Sequence, residues 1–286
     1  MIVKYSLRIL VVTLLLLAPG NAQAAEPFES VHCFKYATAK DYPVDALLFG
    51  TDRGKLADVP FMFCVAKRGD EVVMLDAGFV NLAHAKEWGV IGYVEYRGLL
   101  AEIGVKPEDV SLVTLSHLHW DHAGGTSAFP NAKFAIQRRE LEFAAGGMTQ
   151  NKHARQGFYA EDVLAMVKLA WEGRVLLPEG DQEDLIPGLD VYLTPGHTIA
   201  TMTVCLGTTK GRVCYASDAV YTYRNIEEDI ALGFGLDLGE SVSSYAKIRK
   251  LVGDGILIPG HESALFDATG KFEFRKVSDR VVAIVE

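Results

Sequence analysis

The chain has 286 residues, 49% of them hydrophobic, and a formal net charge of −9. That length and apolar content can bury one sizeable core, and one domain is expected rather than two. The acidic balance argues against nucleic acid and anionic membranes as default partners, and it says nothing about fold.

Taken in chain order, the first segment differs from the rest. Lys4 and Arg8 are its only charges, an apolar run follows over residues 9–18, and Ala22-Gln23-Ala24 fits a small-x-small cleavage site. An N-terminal membrane anchor is the competing reading, but a bilayer span needs roughly 20 apolar residues and this run is much shorter. The segment therefore reads as a secretory signal peptide over residues 1–24, leaving a mature chain of 25–286 that is exported, periplasmic or secreted. No later segment is apolar enough over enough residues to span a membrane.

Four cysteines follow: Cys33, Cys64, Cys205 and Cys214. Cys33 and Cys64 lie in two early strand candidates, and Cys205 and Cys214 flank a turn-like Thr208-Thr209-Lys210-Gly211. An even count in an exported chain permits two disulfides, yet a core this large does not need them. Buried free thiols in strands are the expectation. No Cys-based metal spacing is present.

β-rich runs at 31–38, 60–67 and Glu71–Leu75 come first, then a helical stretch with Tyr93, Tyr96, Leu100 and Ile103 on one side. Residues 111–116 and 133–136 read as strands, Arg138–Ala145 as a short helix, and Ala160–Trp171 as a helix with Val163, Leu164, Val167 and Trp171 on its apolar face. Further strands are expected at 174–177, 189–194, 201–206, 212–216 and 255–259. A last helix opens on Asp237 with Glu240 three residues on, the pattern of a capping box, and its apolar face is Val242, Tyr245, Ile248 and Val252. No repeat, low-complexity stretch or linker interrupts the chain. The mixture suggests packed sheets covered by helices; periodicity alone does not separate this from a doubly wound parallel sheet.

Ser116-His117-Leu118-His119-Trp120-Asp121-His122 follows the apolar run 112–115. Imidazole nitrogens and carboxylate oxygens suit Zn²⁺ and related divalent ions. In an extended stretch His117, His119 and Asp121 share a side, and His122 points elsewhere, toward a second ion. Three later β-runs also end on a potential ligand: Pro195-Gly196-His197, Asp218 and Gly260-His261. Each lies just past a strand's carboxyl end, where open α/β sheets place their sites. Taken singly each is a modest signal. Together these motifs hold all of the chain's eight His except His32, His84 and His153, and that clustering decides for a metal centre.

The string His117-x-His119-x-Asp121-His122 with His197, Asp218 and His261 resembles the metal signature of the metallo-β-lactamase superfamily. Leu75-Asp76-Ala77-Gly78 resembles that family's early strand-end element. The resemblance runs from about Val31 to about Phe272 and implies an α+β fold, an αββα sandwich of two mixed β-sheets with helices on the outer faces. It implies two divalent ions, most readily zinc. One would be held by His117, His119 and His197, the other by Asp121, His122 and His261, with Asp218 bridging. Asp76 would orient a ligand histidine; its plainer reading is a turn residue.

Within the superfamily, the stretch 116–125, Asp218-Ala219-Val220-Tyr221, Gln137-Arg138-Arg139-Glu140-Leu141-Glu142 and the segment 237–251 are similar to the N-acyl-homoserine lactonases. That similarity implies hydrolysis of a lactone by a metal-bridging hydroxide. Tyr221 would hydrogen-bond the substrate carbonyl, and Asp121 would pass a proton to the leaving oxygen. Tyr221 reads otherwise as a packing aromatic. One departure stands out: Ile199-Ala200-Thr201-Met202 follows Thr198 where the lactonases usually carry a second Gly-His, which bears on pocket shape rather than on metal ligation. Trp120, Val44 and Phe49 are candidates for an acyl-chain wall. The resemblance implies a small-molecule substrate, no nucleic-acid or membrane partner after leader removal, and admits a homodimer.

The competing functions are a periplasmic metallo-β-lactamase, a glyoxalase II-like thioesterase, an iron-dependent sulfur dioxygenase and a non-catalytic metal-binding protein. The first generally lacks the Asp corresponding to Asp218, and the second usually carries a helical C-terminal extension absent here. The third does without ligands of the Asp121 and His122 type, and the fourth would normally have lost part of a set that is intact here.

Overall fold

The computed structural model describes residues 26–267 and 274–286, so the expected leader lies outside the described residues. Strands β1 (Ser30–Pro43), β2 (Leu56–Arg68), β3 (Glu71–Leu75) and β4 (Val90–Ile91) open the chain, and β5 (Leu112–Thr114), β6 (Lys133–Ala135) and β7 (Val175–Leu176) follow. They are succeeded by β8 (Gln182–Ile186), β9 (Leu189–Leu193), β10 (Met202–Thr208), β11 (Gly211–Ser217) and β12 (Ile256–Pro259), with β13 (Arg275–Lys276) and β14 (Val281–Val285) last. The helices are α1 (Val44–Leu47), α2 (Leu82–Glu87), α3 (Tyr96–Ala101), α4 (Trp120–Ala123), α5 (Arg138–Ala145), α6 (Ala160–Trp171), α7 (Tyr223–Glu227) and α8 (Leu238–Val252). None is long and apolar enough to cross a membrane.

The strands form two mixed sheets. One runs β13-β14-β1-β2-β3-β5-β6-β7 with β4 on the side of β1, and the other runs β12-β11-β10-β9-β8. The steps β3–β5, β5–β6, β6–β7 and β11–β12 are parallel. Alternation along β2 shows why the sheets stack: Met62, Cys64 and Ala66 face the second sheet, sharing one core with Val191, Val204 and Ile258. Phe61, Phe63 and Val65 face the other way, into a core with Leu99, Leu100, Val163 and Met166 from the helices. On the far side of the second sheet, Ala216 packs with Tyr245 and Ile248 of α8. These are the helix, sheet, sheet and helix layers of the expected αββα sandwich.

The structure corrects four details. All four cysteines are paired, Cys33 with Cys64 and Cys205 with Cys214, where free thiols were expected. In each case the partners lie directly opposite on neighbouring antiparallel strands, β1 with β2 and β10 with β11, a register that sequence distance does not reveal. Helix α6 has its expected span, but Val163 and Met166 carry the buried face. Leu164 and Trp171, 66% and 90% exposed, sit one step round the helix on the solvent side. Asp237 caps α8 by accepting from Glu240 N–H at 2.9 Å, whereas its own N–H goes to the Gly196 carbonyl and ties the helix to the His197 turn. Strands β4, β8, β13 and β14 were not expected. Val281–Val285 is wholly buried between β13 and β1, and a short run apolar on both faces carries no alternation to mark it.

Candidate metal centre

The ligands arrive from four strand ends. Strand β5 runs into Ser116–His119, and α4, one turn long, carries Asp121 and His122 next to each other. His197 follows β9, Asp218 follows β11 and His261 follows β12. The backbone is pushed close here: Ser217 holds φ +47°. A side chain at Gly260 would collide with the Asp218 carboxylate, so only glycine lets β12 deliver His261 beside it.

All seven predicted ligands converge, in two groups. His117, His119 and His197 form one, and Asp121, His122, Asp218 and His261 the other, with the donor atoms of each group within 4.8 Å of one another. His197 Nε2 lies 3.0 Å from His117 Nε2 and 2.8 Å from His119 Nδ1. Asp218 spans the groups through its two oxygens. Oδ2 is 3.3 Å from His197 Nε2, and Oδ1 is 3.3 Å from His122 Nε2 and 3.2 Å from His261 Nε2.

These atoms suit cations better than they suit one another. Three imidazole nitrogens meeting at under about 3.2 Å cannot all be satisfied by protons between them. His122 Nε2 and Asp218 Oδ1 are buried and, although near neighbours, neither finds a hydrogen-bond partner among the described residues. Burial and the neighbouring imidazoles hold His117 and His119 well below the ordinary histidine range, leaving neutral lone-pair donors. His197 is lowered by burial too. At His122 burial acts in the same sense, but Asp121, Asp218 and Asp76 outweigh it and hold the ring well above the ordinary range. Burial likewise opposes ionisation of Asp218, and His122, His261 and His197 overcome it and depress its carboxyl strongly. The arrangement of three neutral imidazoles, a carboxylate-rich second group and a carboxylate between them fits two divalent cations.

Outer hydrogen bonds aim the rings. Asp76, in the left-handed region at φ +62°, accepts from His122 Nδ1 at 2.8 Å, Ser116 N at 2.7 Å, Ser217 Oγ at 2.7 Å and Tyr215 hydroxyl at 2.8 Å. It therefore fixes the orientation of the His122 ring. His261 Nδ1 donates to the Pro60 carbonyl at 2.8 Å and His197 Nδ1 to the Phe234 carbonyl at 3.1 Å, fixing Nε2 toward the centre in both. Tyr215, Ser217 and Phe234 were not singled out by the sequence, since none belongs to a ligand motif.

A cleft opens on the centre and is lined in part by Asp121, His261 and Tyr221. Trp120 lines it as expected, but Val44 and Phe49 do not; Tyr42, Leu47, Phe61, Trp88 and Phe234 do. Helix α1 is a single turn that sends Leu47 inward, leaves Val44 against the helix-side core and lets the chain exit with Phe49 52% exposed. Tyr221 is buried; its hydroxyl donates to the Phe234 carbonyl at 2.7 Å and lies 3.0 Å from His197 Nδ1. Burial and the Asp218 charge raise its pKa well above the ordinary tyrosine value, so it stays a neutral donor.

Comparison with known proteins agrees with this geometry. The metallo-beta-lactamase superfamily matches residues 61–261. An N-acyl homoserine lactonase of Bacillus cereus is 34% identical over 155 residues, covering 54% of this chain and 56% of that one. The chain thus spans little more than half the length of that relative. N-acyl homoserine lactonase AiiA of Bacillus thuringiensis subsp. kurstaki is 28% identical over 213 residues, 70% of this chain and 79% of that one. Among solved structures, a quorum-quenching N-acyl homoserine lactone lactonase superposes with a TM-score of 0.70 at 23% identity, over 86% of this chain and 97% of that one. AidC, described as a dizinc quorum-quenching lactonase, gives 0.66 at 15%, over 92% and 97%. All seven ligands fall inside the matched span, and the chain belongs to the metallo-beta-lactamase superfamily.

Proposed function

We propose that the protein is an exported, zinc-dependent lactonase that hydrolyses N-acyl homoserine lactones. The observation that carries this reading is Asp218, which presents one oxygen to each ligand group in a cleft where the Tyr221 hydroxyl lies beside His197. The names of the relatives supply the substrate class.

Two zinc ions held by these residues would supply Lewis acidity at a carbonyl and lower the pKa of water toward about 7. The chain's own groups do the rest. Trp120, Phe61 and Trp88 take the acyl chain and exclude water, which strengthens each polar contact inside. The substrate carbonyl competes with the Phe234 carbonyl for the Tyr221 proton donor, and the hydrogen bond strengthens as charge builds on that oxygen. Water adds to the carbonyl carbon, the ring C–O bond breaks, and Asp121 carries the displaced proton to the ring oxygen, giving an open-chain hydroxy acid.

The test is acid release by the purified chain from residue 25. N-acyl homoserine lactones of several chain lengths are set against a cephalosporin and a glutathione thioester, before and after chelation and zinc restoration. Zinc-dependent turnover confined to lactones is expected, and Tyr221→Phe should lower kcat/KM by about 10²-fold with metal content unchanged. Cleavage of the cephalosporin or thioester without lactone turnover would sink the assignment.

The two cross-strand disulfides support residence in an oxidising compartment, which accords with a leader over 1–24 ahead of a mature domain of 25–286. N-terminal sequencing of the protein from a secreting host should begin near Ala25; a chain still starting at Met1 would overturn that part.

A further inference from the structure

One buried carboxylate near the centre belongs neither to the seven ligands nor to the Asp76 brace. Glu140 lies on α5, in the outer helical layer, and its side chain is fully buried. Its Oε1 accepts from Leu118 N–H at 3.2 Å, and Leu118 stands between His117 and His119. Its Oε2 accepts from the Thr198 hydroxyl at 2.9 Å and from Ala200 N–H at 3.1 Å, in the turn that begins at His197. We infer that Glu140 is a positioning residue for the first cation, clamping together the two segments that carry its three imidazoles.

The need for a clamp follows from the topology. His117 and His119 leave β5 of the larger sheet, and His197 leaves β9 of the smaller one. No ladder hydrogen bond joins those strands, so their loops are held together by local contacts. Met202 N–H to the Ser116 carbonyl at 2.9 Å is one such link, at the strand end of the loops. Glu140 supplies three more, on the segments that bear the rings. The helix that delivers it is itself fixed: Gln137, just before α5, donates to the Gly180 carbonyl at 2.7 Å and accepts from Gly180 N–H at 2.9 Å. Thr198 is further held by Thr201, at 2.7 Å between hydroxyl oxygens.

The two supports divide the work differently. Asp76 reaches His122 directly and His117 Nδ1 through the Ser116 hydroxyl, whereas Glu140 ties the segment of His117 and His119 to the turn of His197. A carboxylate is required because three donors converge on two oxygens. An amide has one acceptor oxygen, and its NH₂ would face either Leu118 N–H or the Thr198 and Ala200 donors, so glutamine keeps one arm of the clamp and loses the other. Supports behind metal ligands contribute about 10–100-fold to metal affinity.

The inference rests on the two-cation reading of the site, and the experiment separates the two. Stepwise zinc affinities are measured by competition with a chromophoric chelator, for the wild type, Glu140→Gln and Thr198→Val, together with the unfolding midpoint of each chelated protein. The wild type is expected to bind two ions. Glu140→Gln should weaken one step by about 10–100-fold and leave the other within about twofold, as expected for a support serving one ligand group. Thr198→Val, which removes a single donor, should shift the same step by less. Both steps intact in Glu140→Gln beside a lowered midpoint, or both weakened alike, would make Glu140 a merely structural residue and overturn the inference. If Glu140→Gln does not fold, Thr198→Val decides by the same criterion. A wild type that binds fewer than two ions would overturn the two-cation reading itself and the clamp with it.

Discussion

For the proposed lactonase, Asp218→Ala is expected to abolish nearly all turnover, lowering kcat/KM by about 10³–10⁴-fold, equivalent to about 4–5.5 kcal/mol. No other side chain in the centre serves both ligand groups. Its Oδ2 faces His197 and its Oδ1 faces His122 and His261, each within 3.3 Å, so truncation to alanine removes a donor from each cation at once. The electrostatic consequence compounds the loss. Asp218 heads the charges that raise His261 against the effect of burial, and it helps Asp121 raise His122. Without it the second group keeps Asp121 as its one carboxylate, and the all-histidine group keeps none. Metal analysis of the variant should therefore find fewer than two ions per chain, with activity returning only partly at high zinc. Asp218→Asn, which retains one neutral acceptor oxygen, should fall between alanine and wild type. A variant that binds two ions and works within tenfold of wild type would show that Asp218 does not join the groups.

The centre was legible because its chemistry is written locally. Three histidines and an aspartate within six residues need no long-range information, and His197, Asp218 and His261 were found because each ends an apolar run. The same local logic found the α5 and α6 spans and the start of α8. What escaped depends on which way a chain turns after leaving an element. Leu47, not Val44 or Phe49, reaches the cleft because α1 lasts one turn, and nothing in that sequence fixes its length. Trp171 belongs to the apolar stripe of α6 by spacing, yet the stripe is wider than the face the sheet covers. Glu140 lay in a segment that resembled the lactonases, but a glutamate on a helix reads as surface until the fold buries it. The cysteines and their candidate partners were visible, and the bridges were not, because bond formation depends on register between strands 31 and 9 residues apart in sequence.

That register leads to the second large effect. Reducing both disulfides is expected to lower the stability of the metal-free protein by several kcal/mol, with the larger share from Cys33–Cys64. The two bridges close loops with sequence separations of 31 and 9, for which the chain-entropy relation gives about 3.7 and about 2.6 kcal/mol. Native contacts change little on reduction. All four sulfurs are buried, those of Cys33 and Cys64 in the core between the sheets and those of Cys205 and Cys214 on the face beneath α8, where thiols pack as small apolar groups. The cost therefore falls on the unfolded chain, which regains freedom that the bridges had removed. Urea unfolding of chelated protein, oxidised against fully reduced, measures the sum. Paired Cys→Ala variants, which leave similar small voids at both sites, give the difference between the bridges, expected near 1 kcal/mol. Equal losses at the two sites would show that native packing, not loop closure, sets the effect. An unchanged midpoint on reduction would mean that the sheets hold β1 to β2 and β10 to β11 without covalent help. The bridges would then lend no physical support to export, because a bridge that adds no stability gives the fold no need of an oxidising environment.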